Sequence, residues 1–152
     1  MPGAFERNVK ACAILAPRFR AGLQAIENAE RIHFAITESR RLNGSVNIDV
    51  ALIAALPNEA RWDYAIGYGA GRNEVVHWVE IHSATDGNVK VVLAKLAWLR
   101  AWLPTNAPAL GAMRARYVWV SSGKIAISPN APSRRILAQK GLLLSGRRYT
   151  IS

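Results

Sequence analysis

The stretch Arg61-Trp62-Asp63-Tyr64-Ala65-Ile66-Gly67-Tyr68, followed beyond a glycine-rich loop by Glu74-Val75-Val76-His77-Trp78-Val79-Glu80-Ile81-His82-Ser83-Ala84, decides how the chain is read. Successive side chains of a strand point to opposite faces. Residues 61–68 as a strand would place Trp62, Tyr64, Ile66 and Tyr68 on one face and Arg61, Asp63, Ala65 and Gly67 on the other. In 74–84 the same rule puts Glu80 and His82, two apart, on a common face. Gly67-Tyr68-Gly69-Ala70-Gly71 is not followed by a helix pattern, so it reads as a hairpin loop and not as a dinucleotide-binding turn.

Upstream, Asn43-Gly44 signals a turn, and Ser45 to Ile53 alternates Val46, Ile48, Val50 and Leu52 against Asn47, Asp49, Ala51 and Ile53. A strand is expected there, and three strands with short connections predict an antiparallel meander. Val9, Ala13, Ala16, Phe19, Leu23 and Ile26 recur at three- and four-residue spacing, which predicts a helix over 6–30, kinked or divided at Pro17. Residues 32–36 read as a strand or as the end of that helix. Downstream, Val89 to Leu103 predicts a helix stopped by Pro104 and apolar all round, hence buried on more than one side. Tyr117 to Val120 and Lys124 to Ile127 read as strand or hairpin. Pro132-Ser133 opens a short helix over 134–140 that Gly141 caps, and 147–151 reads as extended. The fold class is α/β (α+β): helix, three-stranded antiparallel meander, buried helix, further strands.

Size and composition fit one domain over 1–152. The chain has 152 residues, 51% apolar and 20% charged, enough to bury a core and too hydrophobic for a disordered chain. Its single cysteine, Cys12, excludes an intramolecular disulfide and a cysteine-rich zinc site and implies a reducing compartment. Met1 to Arg7 has no secretory pattern, and Lys90, Lys95 and Arg100 interrupt the longest apolar-rich stretch. A cytoplasmic protein with no membrane partner is expected.

Charge is distributed unevenly. All ten acids, Glu6, Glu27, Glu30, Glu38, Asp49, Glu59, Asp63, Glu74, Glu80 and Asp86, precede Gly87, whereas 87–152 carries eleven lysines and arginines and no acid. A segment that cannot pair internally and repels itself is explained economically by a polyphosphate partner whose counterions it releases. A basic surface serving solubility, or one paired in space with the acidic half, is the alternative. Lys90, Arg100, Arg114, Arg116, Lys124, Arg134 and Arg135 are the candidate nucleic-acid contacts, the last two at a helix start where free amides also favour phosphate.

Two carboxylates on neighbouring strands, Asp63 and Glu80, can share Mg2+ or Mn2+, because hard cations take oxygen ligands. With that constellation the sequence resembles the PD-(D/E)XK nuclease superfamily, the restriction-endonuclease-like fold, over about residues 7–125 as topology and at Asp63, Glu80 and His82 as motif. The resemblance implies a core of helix, meander, helix and strand, with a basic C-terminal extension here. It implies Asp63 as the first metal-binding aspartate, Glu80 as the second acid, and hydrolysis of nucleic-acid phosphodiester bonds as an endonuclease or exonuclease.

Two features depart from the pattern: no proline precedes Asp63, and His82 stands where lysine is usual. Some members relocate that lysine to the following helix, where Lys90 or Lys95 stands here. Lys95 is preferred, since Leu93, Leu96, Trp98 and Leu99 surround it in sequence and an unpaired cation would be costly there. A lysine that snorkels to solvent is the plainer reading of it. His82 is a candidate metal ligand or general base, or a strand histidine satisfied by a hydrogen bond. For Glu80 the structural alternative is an ion pair with Arg61 or with a basic residue of the later helix. Asp49 competes for the first-acid role, and Glu27 sits where some relatives keep another acid. Trp98 and Trp102, spaced i, i+4, read as core packing. No serine, histidine and acid grouping suggests a hydrolase triad.

The expected function is a metal-dependent nuclease-like protein in which Asp63, Glu80, His82 and Lys95 act, with DNA favoured over RNA and a homodimer compatible with the sequence. The rivals are a non-catalytic nucleic-acid-binding or regulatory protein on the same fold, and a protein-interaction module with a basic face.

Overall fold

The first ordered helix is held at its N-terminus from a distance. In the computed structural model, which describes residues 2–152, α1 (Ala4–Lys10) has no capping side chain of its own. Glu74 takes that place: its carboxylate accepts from Ala4 N at 2.6 Å and Phe5 N at 3.2 Å, satisfying amides that a helix start leaves open.

The expected long helix over 6–30 is not formed. After Lys10 the chain makes tight turns, lays down the two-residue strand β1 (Phe19–Arg20), and runs through a further 3-10 segment into β2 (Phe34–Ile36). Pro17 and Gly22, the latter at φ 53°, end helical continuation. The spaced apolar residues serve two layers instead of one: Cys12 and Leu15 pack on the helix side of the sheet, Leu23 and Ile26 on the other.

The meander is present. β3 (Leu42–Asn47), β4 (Tyr64–Tyr68) and β5 (Val75–His82) pair antiparallel in sequence order. Its first strand ends earlier than the alternation to Ile53 predicts, because Asn47 Oδ1 accepts from Val50 N at 2.9 Å and starts the short helix α2 (Ile48–Leu52). Asn43-Gly44 is a bulge inside β3 and not a turn, with Gly44 at φ 127°.

Beyond β5, α3 (Asp86–Asn106) crosses one face, followed by α4 (Pro108–Gly111), and returns to β6 (Ala115–Ser121), parallel to β5. Then α5 (Pro132–Gln139) leads to β7 (Leu142–Ser145), parallel to β6. The sheet order is β1-β3-β4-β5-β6-β7, and β8 (Tyr149–Ile151) pairs with β2 as a parallel ribbon. The architecture is mixed α/β. Residues 124–127 contribute only a bridge from Ala126 to Thr85, so no second hairpin strand forms there.

α3 departs from its expected burial. Val89, Val92, Leu96, Leu99 and Leu103 form one buried stripe, while Val91 on the far side is 43% exposed, so one face rests on the sheet. The helix runs past Pro104 to Asn106, since a proline in the last turn forfeits a single main-chain bond. No described helix is long and apolar enough to cross a membrane.

Two apolar layers sandwich the sheet. Val46, Ala65, Val76, Trp78 and Trp119 meet α1 and α3 on one side; Tyr64, Ile66, Tyr68, Val79, Val118 and Val120 meet the β2–β8 ribbon on the other. Trp62, Trp78 and Trp119 are fully buried, each worth roughly 4–6 kcal/mol of transfer free energy at about 25 cal/mol per Å². Trp62 lies on the helix side, opposite to Tyr64, because the strand begins only at Tyr64.

Candidate active site

The β4–β5 ladder pairs Tyr64 with Val79, so the next rung sets Asp63 against Glu80. Asp63 is in step with Ala65 and Glu80 with Trp78, which places both carboxylates on the α3 side of the sheet. Each holds main chain of the other strand: Glu80 Oε1 accepts from Asp63 N at 3.1 Å, and Asp63 Oδ2 accepts from Ile81 N at 2.9 Å. From the facing helix, Lys95 Nζ donates to Glu80 Oε2. Three residues distant in sequence thus meet at one point, with Glu80 fully buried and Lys95 21% exposed.

The electrostatics follow from burial. Burial pushes the Glu80 carboxyl up to about 8; neighbouring Asp63 adds to this and Lys95 opposes it. Burial likewise raises Asp63 to about 6 against the pull of Lys95 and the Ile81 amide. Burial works against the Lys95 ammonium, but Glu80 and Asp63 outweigh it and hold its pKa above the usual value. Two carboxylates beside one ammonium leave an uncompensated negative charge if all are ionised, so the site retains a proton or attracts a cation.

His82 lies at the rim. Its Nδ1 is 4.0 Å from Glu80 Oε2, too far for a hydrogen bond, and its side chain is 31% exposed. Burial and the Lys95 charge lower its pKa, so the imidazole is neutral and available as a proton acceptor.

Other candidates are placed elsewhere. Asp49 opens α2 and binds Arg61 Nε at 2.8 Å, which makes it a structural partner and leaves Lys95, not Arg61, as the partner of Glu80. Glu27 is exposed, and only its main-chain N–H reaches Tyr64 Oη. Glu30 is the acid that matters in this region: it accepts from Tyr64 Oη, and its charge helps raise Asp63. Nothing in the local sequence distinguishes Glu30 from Glu27, because the selection depends on where the 3-10 segment sets each side chain.

The expected basic residues divide between the two ends of the sheet. β5, β6 and β7 are parallel, so their carboxyl ends coincide, and Ser133 Oγ bound to Asp86 Oδ1 at 3.0 Å brings the starts of α5 and α3 together there. Lys90, Lys124, Arg134 and Arg135 belong to that end, the end at which open α/β sheets bind ligands. Arg147 and Arg148 join them, since Gly146 O accepts from Ser121 N at 3.2 Å. Arg114 and Arg116 lie at the opposite end, as does Arg100, whose guanidinium sits 4.5 Å over the Tyr117 ring.

A hard cation finds partial provision. Among the described residues no donor reaches Asp63 Oδ1, both Glu80 oxygens are engaged, and no three His, Cys, Asp or Glu side chains form a metal cage. Asp63 and Glu80 are the residues that could hold a hard cation such as Mg2+ or Mn2+, which would have to share Glu80 with Lys95 and keep most of its waters. No family model, curated protein or solved structure matches the chain.

Proposed function

We propose that the chain is a metal-dependent nuclease-like protein acting on phosphodiester bonds of nucleic acid. The observation that carries this reading is the convergence of Asp63, Glu80 and Lys95 on one side of the sheet, next to carboxyl strand ends surrounded by cations. The order of α1, the β3–β4–β5 meander, α3 and the parallel β6 supports it, being the arrangement that the PD-(D/E)XK resemblance implies. So does Lys95, which supplies from the helix the ammonium missing at His82.

In this reading Asp63 and Glu80 would hold the cation, which would polarise the phosphate and activate a water when bound. Lys95 lies against the same carboxylates and offsets charge gathering on the phosphate. His82, neutral at the rim, accepts a proton from the attacking water. Lys90, Lys124, Arg134, Arg135, Arg147 and Arg148 hold the backbone, and the amount of chain they contact favours DNA or RNA of several nucleotides over a mononucleotide.

The test is cleavage of plasmid, single-stranded DNA and RNA with Mg2+ or Mn2+, with Asp63→Asn and Lys95→Met alongside the wild type. Loss of cutting in both variants, with nucleic-acid binding retained, supports the enzyme; cutting unchanged in both removes this site from consideration.

A second reading has its own observation. Lys95 bonds Glu80 directly, so the trio also works as a buried structural ion network in a non-catalytic nucleic-acid-binding protein. Salt-sensitive binding without cutting under any divalent cation would favour it.

A further inference from the structure

We propose that the β7 edge of the sheet is a docking site for an acidic peptide in extended conformation, added as a further strand. β7 ends the strand order, and among the described residues no hydrogen bond other than its pairing with β6 reaches the main chain of Leu142–Leu144. Natural edge strands are guarded by charges, prolines, bulges or covering segments, because bare amides and carbonyls recruit other strands. Leu142-Leu143-Leu144-Ser145 has no charge and no proline, and Leu143 is 55% exposed.

Beside the edge lies a groove between β7 and α5, lined by Leu137, Ala138, Leu142, Leu144 and Arg134, whose guanidinium donates to Ile127 O at 2.8 Å. An added strand sends alternate side chains into such a groove while its main chain pairs with the edge. Apolar side chains at every second position fit it.

Charge selects the occupant. Arg134, Arg135, Lys140, Arg147 and Arg148 flank β7 in sequence on both sides, and the chain has no acid after Asp86 to balance them. A second copy pairing edge to edge would bring two sets of these cations together, each on a chain of net charge +10. A peptide with carboxylates at its other alternate positions gains from the same cations, which raises its association rate and rejects basic competitors. This site uses none of Asp63, Glu80 or Lys95, so variants of those three leave peptide binding unchanged. It shares Arg134, Arg135, Arg147 and Arg148 with the proposed nucleic-acid grip, so peptide and nucleic acid compete for those cations.

The probe is a fluorescein-labelled octapeptide alternating valine and glutamate, with two relatives: one with lysine for glutamate, one N-methylated at alternate amides. Anisotropy titration of the full chain is expected to show binding of the first, none of the lysine form, and about tenfold or greater loss on N-methylation. Leu143→Glu, on the exposed edge, and Ala138→Glu, on the helical wall of the groove, are each expected to weaken binding about tenfold with the thermal transition unchanged. Equal binding of the N-methylated peptide would reduce the attraction to charge alone and overturn the proposal. So would a dimer of the free chain that Leu143→Glu turns into a monomer, since the edge would then belong to a second copy.

Discussion

Asp63 and Glu80 face each other at the end of the β4–β5 ladder, and each carboxylate accepts from a main-chain amide of the opposite segment, Glu80 Oε1 from Asp63 N at 3.1 Å and Asp63 Oδ2 from Ile81 N at 2.9 Å. Each carboxylate therefore braces the strand that carries the other. Both also lose hydration, and the single ammonium of Lys95 balances only one of them.

Lys95→Met is expected to destabilise the chain, because it leaves the buried Glu80 and half-buried Asp63 carboxylates with no cation. Breaking a buried pair from one side costs about 3–5 kcal/mol. The loss should be greatest near pH 8 and shrink toward pH 5, where the carboxyls take up protons. Urea unfolding at the two pH values measures it; a pH-independent loss would mean that Lys95 contributes packing alone.

Wild-type stability should decline as pH rises from about 4 to 8. Asp63 is raised to about 6 and Glu80 to about 8, so in that window the folded state holds protons that the unfolded chain has released. His77 opposes part of this trend. Its burial lowers its pKa to about 4, so its contribution is present above the ordinary histidine value and is lost as pH falls toward 4. Above about pH 6.5, where the His77 contribution is complete, only the carboxyls remain, and the fall is at most ~1.4 kcal/mol per pH unit for each titrating group. Mg2+ at the site should reverse that fall, so its stabilising effect should be larger at pH 8 than at pH 6 in thermal melts. An equal effect at both would separate cation binding from these two groups.

Glu74→Gln should cost about 1–2 kcal/mol of unfolding free energy, since it weakens the cap that Ala4 N and Phe5 N share and the contact with Asn43 Nδ2 at 2.9 Å. Gly3→Ala should act in the same direction, because a Cβ there would lie 2.7 Å from a Glu74 carboxylate oxygen. Denaturant midpoints of both variants and of their combination test this. A double variant with a cost well below the sum would place both effects on one contact.

Gly67→Ala should destabilise by about 1–3 kcal/mol, because the added methyl would meet the Phe5 ring at 2.4 Å in a closely packed core. Phe5→Leu in the same chain should recover part of the loss, measured as the shift in unfolding midpoint relative to Phe5→Leu alone. No recovery would locate the strain elsewhere.

What could be read from the chain depended on where local and global demands agree. The meander followed from alternation, because period two is imposed by the strand itself, whereas the register that sets Asp63 against Glu80 was decided by pairing between strands. The helix bearing Lys95 and the one closed by Gly141, at φ 72°, were legible for the same reason: their signals act within a turn or two. The segment from Lys10 to Glu30 was not, since its helical spacing comes from apolar residues divided between two faces of a sheet, and spacing carries no information about which face each one serves.

The sequence by itself determined the mixed α/β class, the three-stranded meander, and the charge asymmetry about Asp86. Only the tertiary structure decided that Lys95 and not Arg61 answers Glu80, that Glu74 caps a helix seventy residues away, and that the cations divide between opposite sheet ends. These are contacts between elements. Their free energy exists only once the chain has closed long loops to bring the partners together, so no local pattern records them.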